Sequence, residues 1–182
     1  MKIEILKENF KNNLNIIEKI VCKNLSLPIL DNVFLSADGN FLSLTSTDLE
    51  TAIRVWVLTK IIKKGQAVIP AKLLSNFISS LPNEKISLEV ENKNIEIECG
   101  NFKTRIQGYN PDEFPIVPEF KNSEFLEVDN KKFCQGLSYV MDISSPSQTR
   151  PEITGIYFLF LKDLIKMVAT DSFRLAEKSV SL

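Results

Sequence analysis

Lysines, carboxylates and three cysteines are the side chains from which this chain could build chemistry, because it contains no histidine. That absence removes the commonest general base, the commonest metal ligand and every Ser-His or Cys-His arrangement. Cys22, Cys99 and Cys134 lie far apart and form no Cys-x-x-Cys pair, so they encode neither a zinc site nor a thioredoxin-like couple. They read as buried free thiols. The adjacent carboxylates Asp112-Glu113 could serve a hydrolase, but they stand in a proline-rich stretch without a base or metal partner. The six glycines are scattered and make no phosphate-binding loop. No catalytic group, metal site or cofactor is expected. What remains is lysine, whose ammonium group either meets phosphate or is simply solvated surface.

With 22 basic and 23 acidic residues the net charge is −1. A protein that grips nucleic acid over its whole surface carries a basic excess, so any such contact here must be confined to one face. Hydrophobic residues make up 44% and charged residues 25%, as in ordinary globular proteins. The 182 residues allow one domain or two small ones. No apolar run approaches the roughly 18 residues that a membrane-spanning helix needs. The opening Met1-Lys2-Ile3-Glu4-Ile5-Leu6-Lys7-Glu8 mixes charge into its apolar residues, unlike a signal peptide. A cytoplasmic protein without a membrane partner is expected.

The elements that must position the lysines follow from periodicity. Lys2–Leu6 alternates and predicts a strand. Asn9 is expected to cap a helix whose apolar stripe is Phe10, Leu14, Ile17 and Val21, with Pro28 closing helical possibilities. Val33–Leu35, a turn at Asp38-Gly39-Asn40 and Phe41–Thr45 predict a hairpin, followed by strands at Ala52–Leu58 and Gln66–Ile69. Pro70-Ala71-Lys72 opens a second helix with Leu73, Leu74, Phe77, Ile78 and Leu81 on one side. Strands at Ile86–Val90, Asn94–Glu98 and Phe102–Ile106 precede a linker from Tyr109 to Pro118. At about 100° per residue the first helix turns Lys11, Asn12, Asn15, Lys19 and Lys23 away from its stripe. Lys72 stands off the second helix's apolar side, and Lys131 and Lys132 begin a third helix. Lysine off the apolar face of all three helices, in a chain of net charge −1, favours a basic face over scattered solvated surface.

That third helix belongs to a repeat. At an offset of 123 positions, the interval from Phe10 to Phe133, Phe10, Leu14, Ile17 and Ile20 fall on Phe133, Leu137, Val140 and Ile143. Pro28 falls on Pro151, Thr47-Asp48 on Thr170-Asp171, and the strand around Ile5 on Val128. Strand, amphipathic helix, proline and hairpin recur in one order, which predicts an internal duplication. The second copy runs only to the equivalent of Thr59, so its later strands would lack partners and present an exposed edge. The chain is therefore expected to be cut short.

Several stretches carry a family pattern. Leu27-Pro28-Ile29-Leu30-Asp31-Asn32, Leu42-Ser43-Leu44-Thr45-Ser46-Thr47-Asp48-Leu49-Glu50, Val68-Ile69-Pro70-Ala71-Lys72 and Asp112-Glu113-Phe114-Pro115 resemble the first domain of the bacterial β sliding clamps. Arg150-Pro151-Glu152-Ile153-Thr154-Gly155 and Val168-Ala169-Thr170-Asp171-Ser172-Phe173-Arg174-Leu175-Ala176 resemble that family's middle domain. The likeness implies an α+β fold of repeated DNA-clamp domains, two helices lining a channel and antiparallel sheets outside, with the second copy truncated. It implies residues 1–119 as the N-terminal domain, 120–182 as the first half of the middle domain, and an absent C-terminal domain.

The resemblance also implies a function. It is that of a non-catalytic processivity factor that encircles double-stranded DNA as a head-to-tail homodimer. Its partners would be the DNA polymerase III catalytic subunit, the clamp loader and other proteins bearing clamp-binding peptides. Lys72, Lys23-Asn24 and the loop Gln148–Arg150 match positions near DNA, joining Lys11, Lys19, Lys131 and Lys132 in the DNA-facing set. Asn24 stands where some members have arginine. Ile153, Thr170, Ser172, Phe173, Arg174 and Leu175 match one side of a peptide cleft, Ile153 and Leu175 as apolar floor and Thr170 and Arg174 as polar rim. Ser172-Phe173 replaces the glycine-histidine of some clamps. Arg105 and Ile106, with the second helix, are assigned to the ring-closing surface. A duplicated α+β interaction scaffold that never encircles DNA is the competing reading. An ion pair or a loop-bracing hydrogen bond is the alternative for Arg150.

Overall fold

In β1 (Lys2–Leu6) the period-two alternation sends Ile3 and Ile5 inward, where both are buried. This computed structural model describes residues 1–21, 27–118, 126–147 and 149–182. It divides into two compact units, Met1–Glu119 and Phe120–Leu182. β1 runs straight into α1 (Lys7–Ile17), which buries Phe10, Leu14 and Ile17. Asn9 is not the cap: the helix opens at Lys7, with Leu6 in the cap position and no side-chain cap. The Lys7 N–H is instead satisfied by the Glu84 carbonyl at 3.1 Å, so a tertiary partner replaces the local one. Pro28 also differs from expectation. It opens a 3-10 turn, Pro28–Asp31, where its fixed φ and missing N–H suit the first position.

β2 (Asn32–Asp38), β3 (Phe41–Thr47) and β4 (Ala52–Leu58) form an antiparallel meander, with Phe34 opposite Thr45 and Thr47 opposite Ala52. Gly39 takes a φ of 58° in the first turn, a conformation that favours a residue without Cβ. β5 (Lys60–Lys63) pairs with β1 and was hidden in the sequence by the lysines flanking Ile61-Ile62. β6 (Gly65–Pro70) lies beside β2 and leads into α2 (Ala71–Ser80). β7 (Lys85–Glu91), β8 (Asn94–Cys99) and β9 (Phe102–Gln107) complete a five-stranded sheet of order β5-β1-β7-β8-β9, beside a four-stranded sheet β4-β3-β2-β6.

α1 packs against β1, β3, β4 and α2, while α2 packs against β2 and β6, so both helices and both sheets share one core. On α2 Leu74, Ile78 and the following Leu81 are buried, but Leu73, expected on the same side, is exposed. The segment Tyr109–Pro118 is not a free linker. Tyr109 donates its N–H to the Val68 carbonyl at 2.8 Å, and Phe114 is buried against Phe34 with ring centroids 5.4 Å apart.

In the second unit α3 (Asn130–Val140), capped by the Asp129 carboxylate on the Lys132 N–H, lies on a sheet of β10 (Tyr157–Phe160), β11 (Leu164–Thr170) and β12 (Leu175–Ser181). Val140, Ile165, Met167, Ala169 and Val180 form its small core. Shifting α1, β3 and β4 by the sequence offset reproduces the limits of α3, β11 and β12. The expected strand around Val128 is missing, as residues 126–129 carry none and Val128 packs on the core instead. β1 is a strand because β5 and β7 pair with it, and no described residue of the second unit supplies such partners.

At Gly136 α3 has no room for a side chain, since a Cβ there would lie 2.7 Å from Cγ2 of Val180. Gly136→Leu is expected to destabilise the second unit by about 1–3 kcal/mol through overpacking, outweighing the helix propensity gained, which is about 1 kcal/mol at most. Denaturant unfolding followed by amide exchange in β11 and β12 checks this.

Candidate functional site

Two surfaces collect the residues singled out above. On the first unit, Lys72 and Lys19 are exposed and Lys11 is half-buried, on or just beyond the adjacent helices α1 and α2. Asn12, Asn15 and Asn76 are exposed beside them. A shallow cleft of about 310 Å³ lies here, lined by Val21, Asp31, Pro70, Lys72, Leu73 and Asn76. Among the described residues, the lysines that form ion pairs stand instead on the sheets or beside them: Lys2 with Glu89, Lys60 with Glu4, Lys64 with Asp38, Lys103 with Glu98 and Lys166 with Glu177. Lys11, Lys19 and Lys72 are in none of these pairs. Lys131 and Lys132 are exposed in the first turn of α3, at the positions that Glu8 and Asn9 hold in α1, so the two units do not present lysine from equivalent places. Lys23, Asn24 and Gln148, and with them Cys22, fall outside the described residues.

The second surface is a cleft of about 360 Å³ in the second unit. Its walls are the 3-10 turn Pro151–Ile153 with the residues up to Tyr157, and β11 from Val168 to Thr170. Of the residues assigned to a peptide cleft, Ile153 and Thr170 line it, Ser172, Phe173 and Arg174 lie on the adjoining β11–β12 turn, and Leu175 begins β12. Tyr157 and Val168, missed in the sequence, also line it. They are an opposed pair in register, equivalent to Phe34 and Thr45 of the first unit, so the offset alone could have found them.

The β11–β12 turn is built by short-range polar chemistry. Thr170 Oγ1 donates to the Arg174 carbonyl at 2.7 Å, and Asp171 Oδ1 accepts the N–H groups of Phe173 at 3.0 Å and Arg174 at 2.9 Å. The first unit repeats the pattern: Thr47 Oγ1 donates to the Thr51 carbonyl and Asp48 Oδ1 accepts from Glu50 and Thr51. Leu49 and Ser172 both sit at φ 78°. Arg174 folds back onto Asp171 Oδ2 at 2.9 Å and the Asp142 carbonyl at 3.3 Å. The backbone N–H groups of Arg174 and Phe173, and then the Arg174 side chain, hold the Asp171 carboxyl below the usual carboxylate range. Phe173 is 97% exposed and Leu175 66% exposed, so neither is hairpin core.

Arg150, placed beside DNA by the resemblance with an ion pair or loop-bracing hydrogen bond as the alternative, makes both of those contacts while its side chain stays exposed. Its Nε donates to Glu152 Oε1 at 3.0 Å and its Nη1 to Ser172 Oγ at 2.8 Å. Ile106 is corrected as a joining residue. It is only 4% exposed, because alternation along β9 sends it into the core and leaves Arg105 outside, opposite Glu96. Cys134 is also corrected, being exposed with its thiol on Asn130 Oδ1, whereas Cys99 is buried and its pKa is pushed up by that burial. Among the described residues no group of three His, Cys, Asp or Glu could hold a metal ion, and no helix is long and apolar enough to cross a membrane.

Residues 1–118 match the DNA polymerase III beta subunit N-terminal domain family. The chain is 29% identical over 179 residues to the beta sliding clamp of Synechococcus elongatus, an alignment covering 97% of this chain and 48% of that protein. With the beta sliding clamp of Staphylococcus epidermidis it shares 27% identity over 100% of this chain and 51% of the relative. The crystal structure of the DNA polymerase III subunit beta from Pseudomonas aeruginosa superposes at a TM-score of 0.91 and 27% identity, covering 100% of this chain and 50% of that one. The chain spans about half the length of the curated relatives it matches.

Because Asp171 is depressed in the folded state, its contribution to the turn is present above the ordinary carboxylate pKa of about 3.9 and is lost as pH falls through the lower folded value. Amide exchange at Phe173 and Arg174 is expected to show that loss only in the acid range. Asp171→Ala should speed exchange there by about tenfold at neutral pH, on the scale of one net hydrogen bond.

Proposed function

Because the chain belongs to the DNA polymerase III beta subunit family, we propose that it serves as a sliding clamp, a non-catalytic processivity factor of bacterial DNA replication. In this reading residues 1–119 are the clamp's N-terminal domain and residues 120–182 the first half of its middle domain. The whole protein is a head-to-tail homodimeric ring around duplex DNA in the cytoplasm. It tethers the polymerase III catalytic subunit, the clamp loader and other partners by short peptides.

The observation that carries the DNA reading is the polar side of α1 and α2, where Lys11, Lys72 and, just beyond α1, Lys19 accompany exposed asparagines and, among the described residues, make no ion pair such as those that engage Lys2, Lys60 and Lys103 on the strands. A clamp holds DNA by topology and must still slide, so tight or base-specific contacts would oppose its action. Attraction between solvated lysines and phosphate is independent of sequence and weak, as sliding requires. Lys131 and Lys132 extend the same chemistry to the second unit, and Lys23, Asn24 and Gln148 remain in the DNA-facing set by family likeness.

For the peptide reading, the support is an apolar cleft whose adjoining turn offers Phe173 and Leu175 to solvent, with Ile153 half-buried in the wall. A peptide anchor buried against such residues contributes about 1–3 kcal/mol. Arg105, on the strand that ends the five-stranded sheet, is assigned with α2 to ring closure, and Ile106 supports that strand from within.

DNA binding by this chain is expected to be indifferent to base sequence and to weaken with salt. Lys72→Ala should lower the slope of log K against log salt by about one, the share of a single phosphate contact. Filter binding of duplex DNA over a salt series measures it, and an unchanged slope removes Lys72 from the DNA-facing set.

A further inference from the structure

The two walls of the second-unit cleft are tied together by one side chain. Arg150 immediately precedes Pro151 on one wall, and Ser172 stands two residues beyond Thr170 on the other. The guanidinium reaches Ser172 Oγ at 2.8 Å while Glu152 holds its Nε at 3.0 Å, which fixes the planar group in both position and orientation. The corresponding residues of the first unit are Leu27, Ile29 and Leu49, whose side chains can make none of these bonds. Three apolar positions have thus become one hydrogen-bonded set in the unit that carries the cleft, on a turn whose backbone frame is otherwise the same. The positive φ alone does not account for this, because Leu49 adopts it too.

We propose that Arg150, Glu152 and Ser172 form a latch that sets the spacing of the cleft walls, with Arg150 a positioning residue for a bound peptide. The proposal rests on the peptide-cleft reading given above and assigns Arg150 to that site. The Arg150 and Glu152 side chains are 58% and 59% exposed, so their pairing adds little to stability. Its effect lies in holding the turn that presents Phe173 and Leu175 at one distance from Ile153. A peptide spanning both walls then meets them already ordered.

The test separates positioning from stability through Ser172. In the full chain, Ser172→Gly removes the acceptor and at the same time relaxes a backbone at φ 78°. Ser172→Asn keeps an acceptor and tolerates that φ. The probe is a fluorescein-labelled replicative-polymerase tail peptide with leucine and phenylalanine anchors, titrated by fluorescence anisotropy alongside thermal melts. Ser172→Gly should weaken binding roughly three- to tenfold with an unchanged or higher Tm, the scale of one exposed hydrogen bond to a charged group. Ser172→Asn should bind like the unaltered chain, and adding Arg150→Ala to Ser172→Gly should weaken binding no further. Peptide affinity that Ser172→Gly leaves unchanged, or additive losses in the double variant, overturns the latch alone. No binding by the unaltered full-length protein overturns the cleft reading and the latch with it.

Discussion

Burial of one stripe of α1 decides what the rest of the first unit can present. Phe10, Leu14 and Ile17 are fully buried against strands of both sheets, each apolar side chain contributing about 1.5–3 kcal/mol relative to exposure. With that face committed, the residues between them must project away from the sheets. In this chain those residues are Lys11, Asn12, Asn13, Asn15 and Ile16. The neighbouring α2 obeys the same constraint through Leu74 and Ile78 and leaves Lys72 and Asn76 outside. That these lysines stand on the surface of a chain of net charge −1 is therefore a consequence of helix packing.

The second unit uses the same frame with different residues at its tip. Thr170 and Asp171 fold the β11–β12 turn with the bonds that Thr47 and Asp48 make in the first unit, so the turn's shape is set by two polar side chains and survives change at its tip. Leu49-Glu50-Thr51 can then become Ser172-Phe173-Arg174 without altering the backbone. The frame fixes the geometry, and the residues at the tip are where the two units' sequences diverge.

How much of this was legible depended on whether the cause was local. The stripes of α1 and α3 follow a spacing of three and four, and their recurrence at one offset placed α3, β11 and β12. β5 escaped because Lys60 and Lys63 surround its isoleucines, and its strand character comes from pairing with β1. The start of α1 at Lys7 depends on the carbonyl of Glu84, far along the chain. Val128 looked like a strand residue only by analogy with Ile5, whose partners the second unit's described residues lack. Within the site, Ile153 and Thr170 were readable from motif likeness, but the bond from Arg150 to Ser172 joins residues that only the fold brings together. Ile106 shows the reverse error, a residue assigned to a surface although its strand alternation turns it inward.

Which lysines meet phosphate decides whether DNA lies on the helices or on the sheets. Single cysteines at position 11, 19 or 72, in place of the helix lysines, and at position 60 or 103, in place of ion-paired strand lysines, can each carry a short photo-crosslinker. Irradiation with duplex DNA at low salt then reports proximity directly. Crosslinks are expected from the helix positions, lost as salt rises, with few from the strand positions. Equal crosslinking from positions 60 and 103 would contradict this expectation, because DNA would then be lying on the sheets.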